Sequence, residues 1–167
     1  EDIKEPYPLK APTDAAKARL TAIIANTILR VDAGMGLLMD ELKAAGLADN
    51  TLVVFFGDNG LPVIRGKTSS YESGVRVPLL VRWPGVTKAG QVYRDLVSEV
   101  DLMPTILGAA GVTAPANLVG QPIQPLLRSE SAKWRDFLFT EMNFHEPELC
   151  PLQRTVRDAR YKLLLNL

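Results

Sequence analysis

The order of apolar segments predicts an α/β layer sandwich that passes into a smaller antiparallel sheet. Three observations predict it. One long stretch of helical periodicity precedes two short, continuous apolar runs, a second short helical stretch follows them, and strand-like runs crowd toward the C-terminus. With 167 residues, 47% hydrophobic and 23% charged, the composition is that of a soluble globular chain able to bury a core.

Residues 1–12 carry three prolines in a polar context and read as an irregular lead-in. Thr13 or Asp14 can cap a helix over about 14–45. There Leu20, Ile23, Ile24, Ile28, Val31, Met35, Leu38 and Leu42 recur at three- and four-residue spacing, and Gly46 is placed as the stop. Ala48-Asp49-Asn50 then turns the chain into Thr51–Phe56. This run is apolar on both faces and too short for a helix, which predicts a central strand of a covered parallel sheet. A second such strand is Val77–Trp83, stopped by Pro84-Gly85. Asp101 through Gly111 reads as a short helix, with Pro104 in the first turn where its missing N–H is harmless. Residues 112–135 are loop-rich. Phe137–Met142 and the stretch from Thr155 to Leu165 read as strands, the last pair a hairpin about Asp158-Ala159-Arg160.

Lys plus Arg and Asp plus Glu both total 19, so no overall field gathers nucleic acid or anionic lipid. The uninterrupted apolar runs fall short of a membrane span. Neither a nucleic-acid nor a membrane partner is expected. Cys150 stands alone, which excludes an internal disulfide and a cysteine-rich zinc site. A basic n-region and an apolar h-region are absent at the start, so any targeting signal is expected to be lacking or removed.

The chemistry concentrates after the first strand, in FFGDNGLPVIRGK. In open α/β sheets ligands collect at the carboxyl ends of strands, where Asp58, Asn59 and Gly60 fall. Neighbouring acid and amide oxygens are hard ligands for Ca²⁺ or Mg²⁺, and Lys67 offers a compact charge for an oxyanion beside such an ion. The same tripeptide is also a turn signature, in which Asp and Asn bond their own main chain.

The residues from Gly66-Lys67 through Tyr71-Glu72-Ser73-Gly74 and Arg76-Val77-Pro78 to Trp83-Pro84-Gly85 resemble a block of the sulfatase family. Ile28–Asp32 with Gly36 and Leu42, Gly46–Thr51, Val100–Leu107, and Val156-Arg157 with Arg160–Leu163 are similar to further family blocks in the same order. The short interval from Asp58 to Lys67, with Pro62 inside it, and Phe139-Thr140-Glu141 followed by His145 resemble the heparan N-sulfatase branch.

The resemblance implies an alkaline-phosphatase-like α/β sandwich, present in part, and then the small antiparallel sheet. Residues 1–112 would be the C-terminal part of the catalytic domain, and 113–167 a linker and the start of a small subdomain. It implies Asp58 and Asn59 as ligands of Ca²⁺, with Mg²⁺ the lesser candidate, and Lys67 as a catalytic contact to the sulfate. His145, the single histidine, would contact substrate at the pocket mouth or assist the leaving group; the alternative is a histidine packing in its loop. The family's nucleophile is a formylglycine made in a Cys/Ser-x-Pro-x-Arg motif. Cys150-Pro151-Leu152-Gln153-Arg154 has its proline one position early, and Cys150 is expected to be a structural thiol.

The chain is therefore expected to be the C-terminal part of a sulfatase that acts on a sulfated carbohydrate, inactive by itself. The family's compartments are periplasmic, secreted or lysosomal. Two other readings stand beside it: a phosphoryl or phosphonate hydrolase of the same superfamily, and a binding module without a nucleophile. Glu72 and Arg76 are expected to pair locally, Tyr71 to pack beneath the Lys67 loop, and Arg157 and Arg160 to form a solvated face. Open edges on Thr51–Phe56 and Pro78–Trp83 predict self-association.

Overall fold

The computed structural model describes residues 13–130, 133–144 and 152–167. They fall into two compact units, one ending at Asn50 and the other beginning at Thr51.

The first unit is helix α1, Asp14–Ala44. Thr13 is its cap: the hydroxyl accepts a hydrogen bond from the Ala16 N–H at 3.2 Å, satisfying one of the free donors of the first turn. At the other end Gly46 adopts φ +68°, while its N–H donates to the Lys43 carbonyl and that of Leu47 to Leu42. This is a Schellman stop, and the left-handed turn is why glycine stands there. By length and composition α1 is long and apolar enough to cross a membrane. Counting uninterrupted apolar runs overlooks this, because isolated charges punctuate an otherwise apolar helix. A helix of a soluble core meets the same criteria.

The second unit holds two sheets. Strands β1, Val53–Phe56, and β2, Leu79–Arg82, pair antiparallel, from Val53 opposite Arg82 to Phe56 opposite Leu79. The expected parallel arrangement is thus corrected: runs apolar on both faces report burial, and they carry no information on strand direction. Between these strands lies the short helix α2, Glu72–Val75. After β2 the Trp83–Thr87 segment turns back on itself, the N–H groups of Val86 and Thr87 both donating to the Trp83 carbonyl.

Helix α3, Leu102–Ala109, starts from a 3₁₀ turn over Glu99–Asp101 and closes at Gly111, with φ +69°. Leu52 and Val54 line an apolar pocket of about 350 Å³ together with Ile106 and Ala109 of α3 and with Ala110 just after it. Helix α4, Gln124–Leu127, places Leu126 and Leu127 in the buried apolar core, which Ile123 just before it and Leu102 of α3 share. The C-terminal sheet has the order β3, β4, β5 (Leu138–Met142, Gln153–Arg157 and Lys162–Asn166), all antiparallel. The expected hairpin is present, turning where Asp158 accepts from the N–H groups of Arg160 and Tyr161. Those two bonds hold the Asp158 carboxyl below the usual carboxylate range.

Asp101 has no exposed surface. Its carboxylate accepts from the N–H of Ser98 at 2.8 Å and of Gln121 at 3.0 Å, and pairs with Arg135 at 2.6 Å. Thr105 lies one turn on; its hydroxyl donates to the Asp101 carbonyl and accepts from the Ile123 N–H. A buried charge that loses its partner costs several kcal/mol. Arg135→Met is expected to destabilise the chain by about 3–5 kcal/mol, read as a lower denaturant midpoint with an unchanged slope.

Candidate active site

Strand β1 ends by donating the Gly57 N–H to the Pro78 carbonyl, after which the chain leaves the sheet at Asp58. The Gly60 N–H donates to the Gly74 carbonyl at 2.9 Å, so both ends of the 60–74 loop meet. A Cβ at Gly60 would stand 1.7 Å from the Ser73 carbonyl oxygen, and one at Gly74 would stand 2.4 Å from that of Gly66. Only a residue without a side chain admits those approaches.

Asp58 is exposed, and among the described residues its carboxylate takes part in no hydrogen bond or ion pair. Asn59 donates its amide nitrogen to the Gly60 carbonyl at 2.8 Å, which leaves its side-chain oxygen as the free acceptor. One half of the turn signature is therefore present, while both metal-type oxygens stay available. They suit part of the shell of a hard cation such as Ca²⁺, which takes roughly six to eight oxygens. No group of three His, Cys, Asp or Glu side chains placed to hold a metal occurs among the described residues. Asp58 and Asn59 can contribute to such a site and cannot complete one.

Lys67 lies on the same loop, exposed, with its N–H donating to the Leu61 carbonyl at 2.9 Å. Two residues near it are unusual: Arg65, two before, and Thr68, directly after, have φ of 60° and 71°. A left-handed, β-branched residue is strained. The Ser69 and Ser73 hydroxyls donate to the carbonyls of Gly66 and Arg65, and the Arg65 guanidinium lies 5.0 Å over the Tyr71 ring. Tyr71 thus meets the loop as expected.

Glu72 does not pair with Arg76, whose link to it is a main-chain hydrogen bond. Its carboxylate instead reaches Arg157 at 2.7 Å and Lys162 at 3.6 Å, so Arg157 is no solvated side chain. Both partners come from the C-terminal sheet, and that sheet makes a second contact through the Gln153 side chain, which accepts from the buried Ser70 N–H at 2.8 Å. Burial pushes the Lys162 ammonium below the ordinary lysine range, with Glu72 opposing the shift and Arg157 adding to it. Arg160 is exposed and stacks on Tyr161. His145 and Cys150 lie outside the described residues.

A cleft of about 1600 Å³ is lined by Asp58, Arg76, Glu99, Glu141, Arg157 and Lys162, among others. Glu99 was no candidate from sequence. Burial raises its carboxyl above the usual carboxylate range, and the charge of Asp58 raises it further. Of the residues expected to form the site, Asp58 lines this cleft, while Asn59 and Lys67 are not among its lining residues.

The solved structures that this chain resembles define its class, a chain of the alkaline-phosphatase-like fold. A phosphonate monoester hydrolase from Silicibacter pomeroyi aligns with a TM-score of 0.79 and 29% identity, over 96% of this chain and 35% of that one. A structure solved with its substrate D-glucosamine-2-N,6-O-disulfate aligns at 0.74 and 29%, over 83% and 30%. The family model for sulfatases matches residues 2–112, and that for the C-terminal region of N-sulphoglucosamine sulphohydrolase matches 65–166. The chain belongs to the sulfatase family. It is 36% identical to the N-sulphoglucosamine sulphohydrolase of Homo sapiens over 99% of its own length and 34% of that protein's. It thus spans about a third of that relative.

Asp58→Asn is expected to lower the midpoint of Glu99, followed by carboxyl NMR, because a like charge is removed. The midpoint should stay above the ordinary value, since burial is the larger cause.

Proposed function

We propose that this chain carries the cation- and sulfate-binding part of a sulfatase site that acts on sulfated carbohydrate, in the manner of a heparan N-sulfatase. The observation that carries the reading is Asp58-Asn59 at the carboxyl end of β1 with Lys67 on the loop that follows, in a sulfatase-family chain. The substrate bound in one structural relative, a doubly sulfated glucosamine, supports the substrate class. Residues 1–112 would belong to the catalytic α/β domain and 113–167 to the small subdomain.

Asp58 and Asn59 would supply one carboxylate and one amide oxygen to Ca²⁺, a ligand pair that suits calcium better than the more strictly hydrated Mg²⁺. Such an ion, when bound, polarises a sulfuryl oxygen and holds it in place. Lys67 would face the same oxyanion, and its ammonium stabilises the negative charge that grows there as the ester or sulfamate bond breaks. Carbohydrate would occupy the cleft, where Arg76 offers a cation to acidic groups. His145 would contact the sugar or the leaving group. The sequence contains no Cys/Ser-x-Pro-x-Arg motif, so the formylglycine nucleophile must come from outside these residues. The chain alone is therefore expected to bind and not to turn over.

A second reading, phosphonate or phosphate ester hydrolysis, draws on the phosphonate monoester hydrolase alignment. Both chemistries need a cation and a charge-stabilising lysine. Aryl sulfate, sulfamate and phosphonate monoester, compared on the polypeptide that supplies the nucleophile, separate them, and a preference for phosphonate would reverse the assignment. In that polypeptide Lys67→Met should lower kcat by about 10²–10³ with calcium affinity retained. Asp58→Ala should weaken calcium binding by calorimetry as well as activity.

A further inference from the structure

The loop that carries Lys67 does not hold its shape by local bonding alone. Arg65 and Thr68 are both left-handed, and strain of this kind persists where the surroundings over-determine it. The bonds from Ser69 to Gly66, from Ser73 to Arg65 and from Lys67 to Leu61 lie within the loop and travel with it. Two contacts come from farther away, both from the C-terminal sheet.

At the first, the Ser70 N–H meets Gln153 with both residues buried, and the Gln153 amide nitrogen donates to Asn166 on β5, which orients the acceptor. At the second, Glu72 neutralises two cations, Arg157 of β4 and Lys162 of β5. The buried Lys162 nitrogen has no hydrogen-bond acceptor in reach, so Glu72 is the charge that balances it. Without that carboxylate, two like charges would face the loop.

We infer that Glu72 and Gln153 are positioning residues that dock the strained 65–74 loop onto the C-terminal sheet and thereby set where the Lys67 ammonium stands. The docking stands on geometry alone; its consequence for catalysis rests on the sulfatase reading above. The C-terminal sheet, which supplies neither Asp58 nor Asn59 nor Lys67, acts on the chemistry through these two contacts.

Amide hydrogen exchange on the full chain tests the docking, using Glu72→Gln and Gln153→Leu. The amides of Gly66 and Lys67 should exchange at least about tenfold faster in each variant, the effect of losing a charge-assisted or buried hydrogen bond. The cross-strand amides of β3, β4 and β5 should keep their protection. Unchanged Gly66 and Lys67 amides would overturn the inference, as would a loss shared equally by the sheet, which marks a merely structural role. Aryl sulfate kinetics in the nucleophile-bearing polypeptide test the consequence. Glu72→Gln should lower kcat more than it changes KM, and Glu72→Asp should restore part of it. A loosened loop with unchanged kcat would overturn the positioning of Lys67. Absence of turnover in the parent protein, with the expected amide pattern, would refute the sulfatase reading and leave the docking intact.

Discussion

A single carboxylate without exposed surface, that of Asp101, organises the larger unit. Removing an ion from water is expensive, and the expense is met only when both oxygens find donors. Ser98, Gln121 and Arg135 provide them. Two stretches farther along the sequence, at Gln121 and at Arg135, must therefore converge on the start of α3. From that junction the chain runs directly into β3, and β3 templates β4, whose Gln153 and Arg157 reach the Lys67 loop. Glu99 sits two residues before the same carboxylate and feels the charge of Asp58. The interior ion pair and the exposed site are connected by covalent chain and by one sheet.

The apolar core within this unit is small. Leu102, Ile123, Leu126 and Leu127 are its fully buried aliphatic members among the described residues, while Phe56, Leu80 and Ile106 remain exposed. Order in the loop region is supplied instead by polar contacts: the buried Ser70, Thr105, Gln153 and Thr155 all have partners. Directional bonds suit this task, because they fix a loop at a place and an angle, which oily contact does not specify.

Much of the fold was legible from local pattern. The three- and four-residue spacing of Leu20 through Leu42 located α1, Gly46 its end, and the runs at Thr51 and Val77 the two strands of the first sheet. Strand direction was not legible, since an apolar run reads alike in both senses. The partner of Glu72 was not legible either. Arg76 lay one turn away and looked sufficient, yet the ion pair spans 85 residues. Spacing along the chain singles out Asp58, Asn59 and Lys67 as candidates; it says nothing of Glu99, whose environment depends on how α3 is seated. What sequence conveyed well was periodicity and order, and what it withheld was pairing at a distance.

Thr68 carries a consequence for how this segment tolerates change. A branched side chain in a left-handed turn stores energy that glycine or asparagine would release. Selection for thermal robustness alone would favour that exchange, and a slacker loop would follow. The threonine there trades a little durability for a stiffer approach to α2.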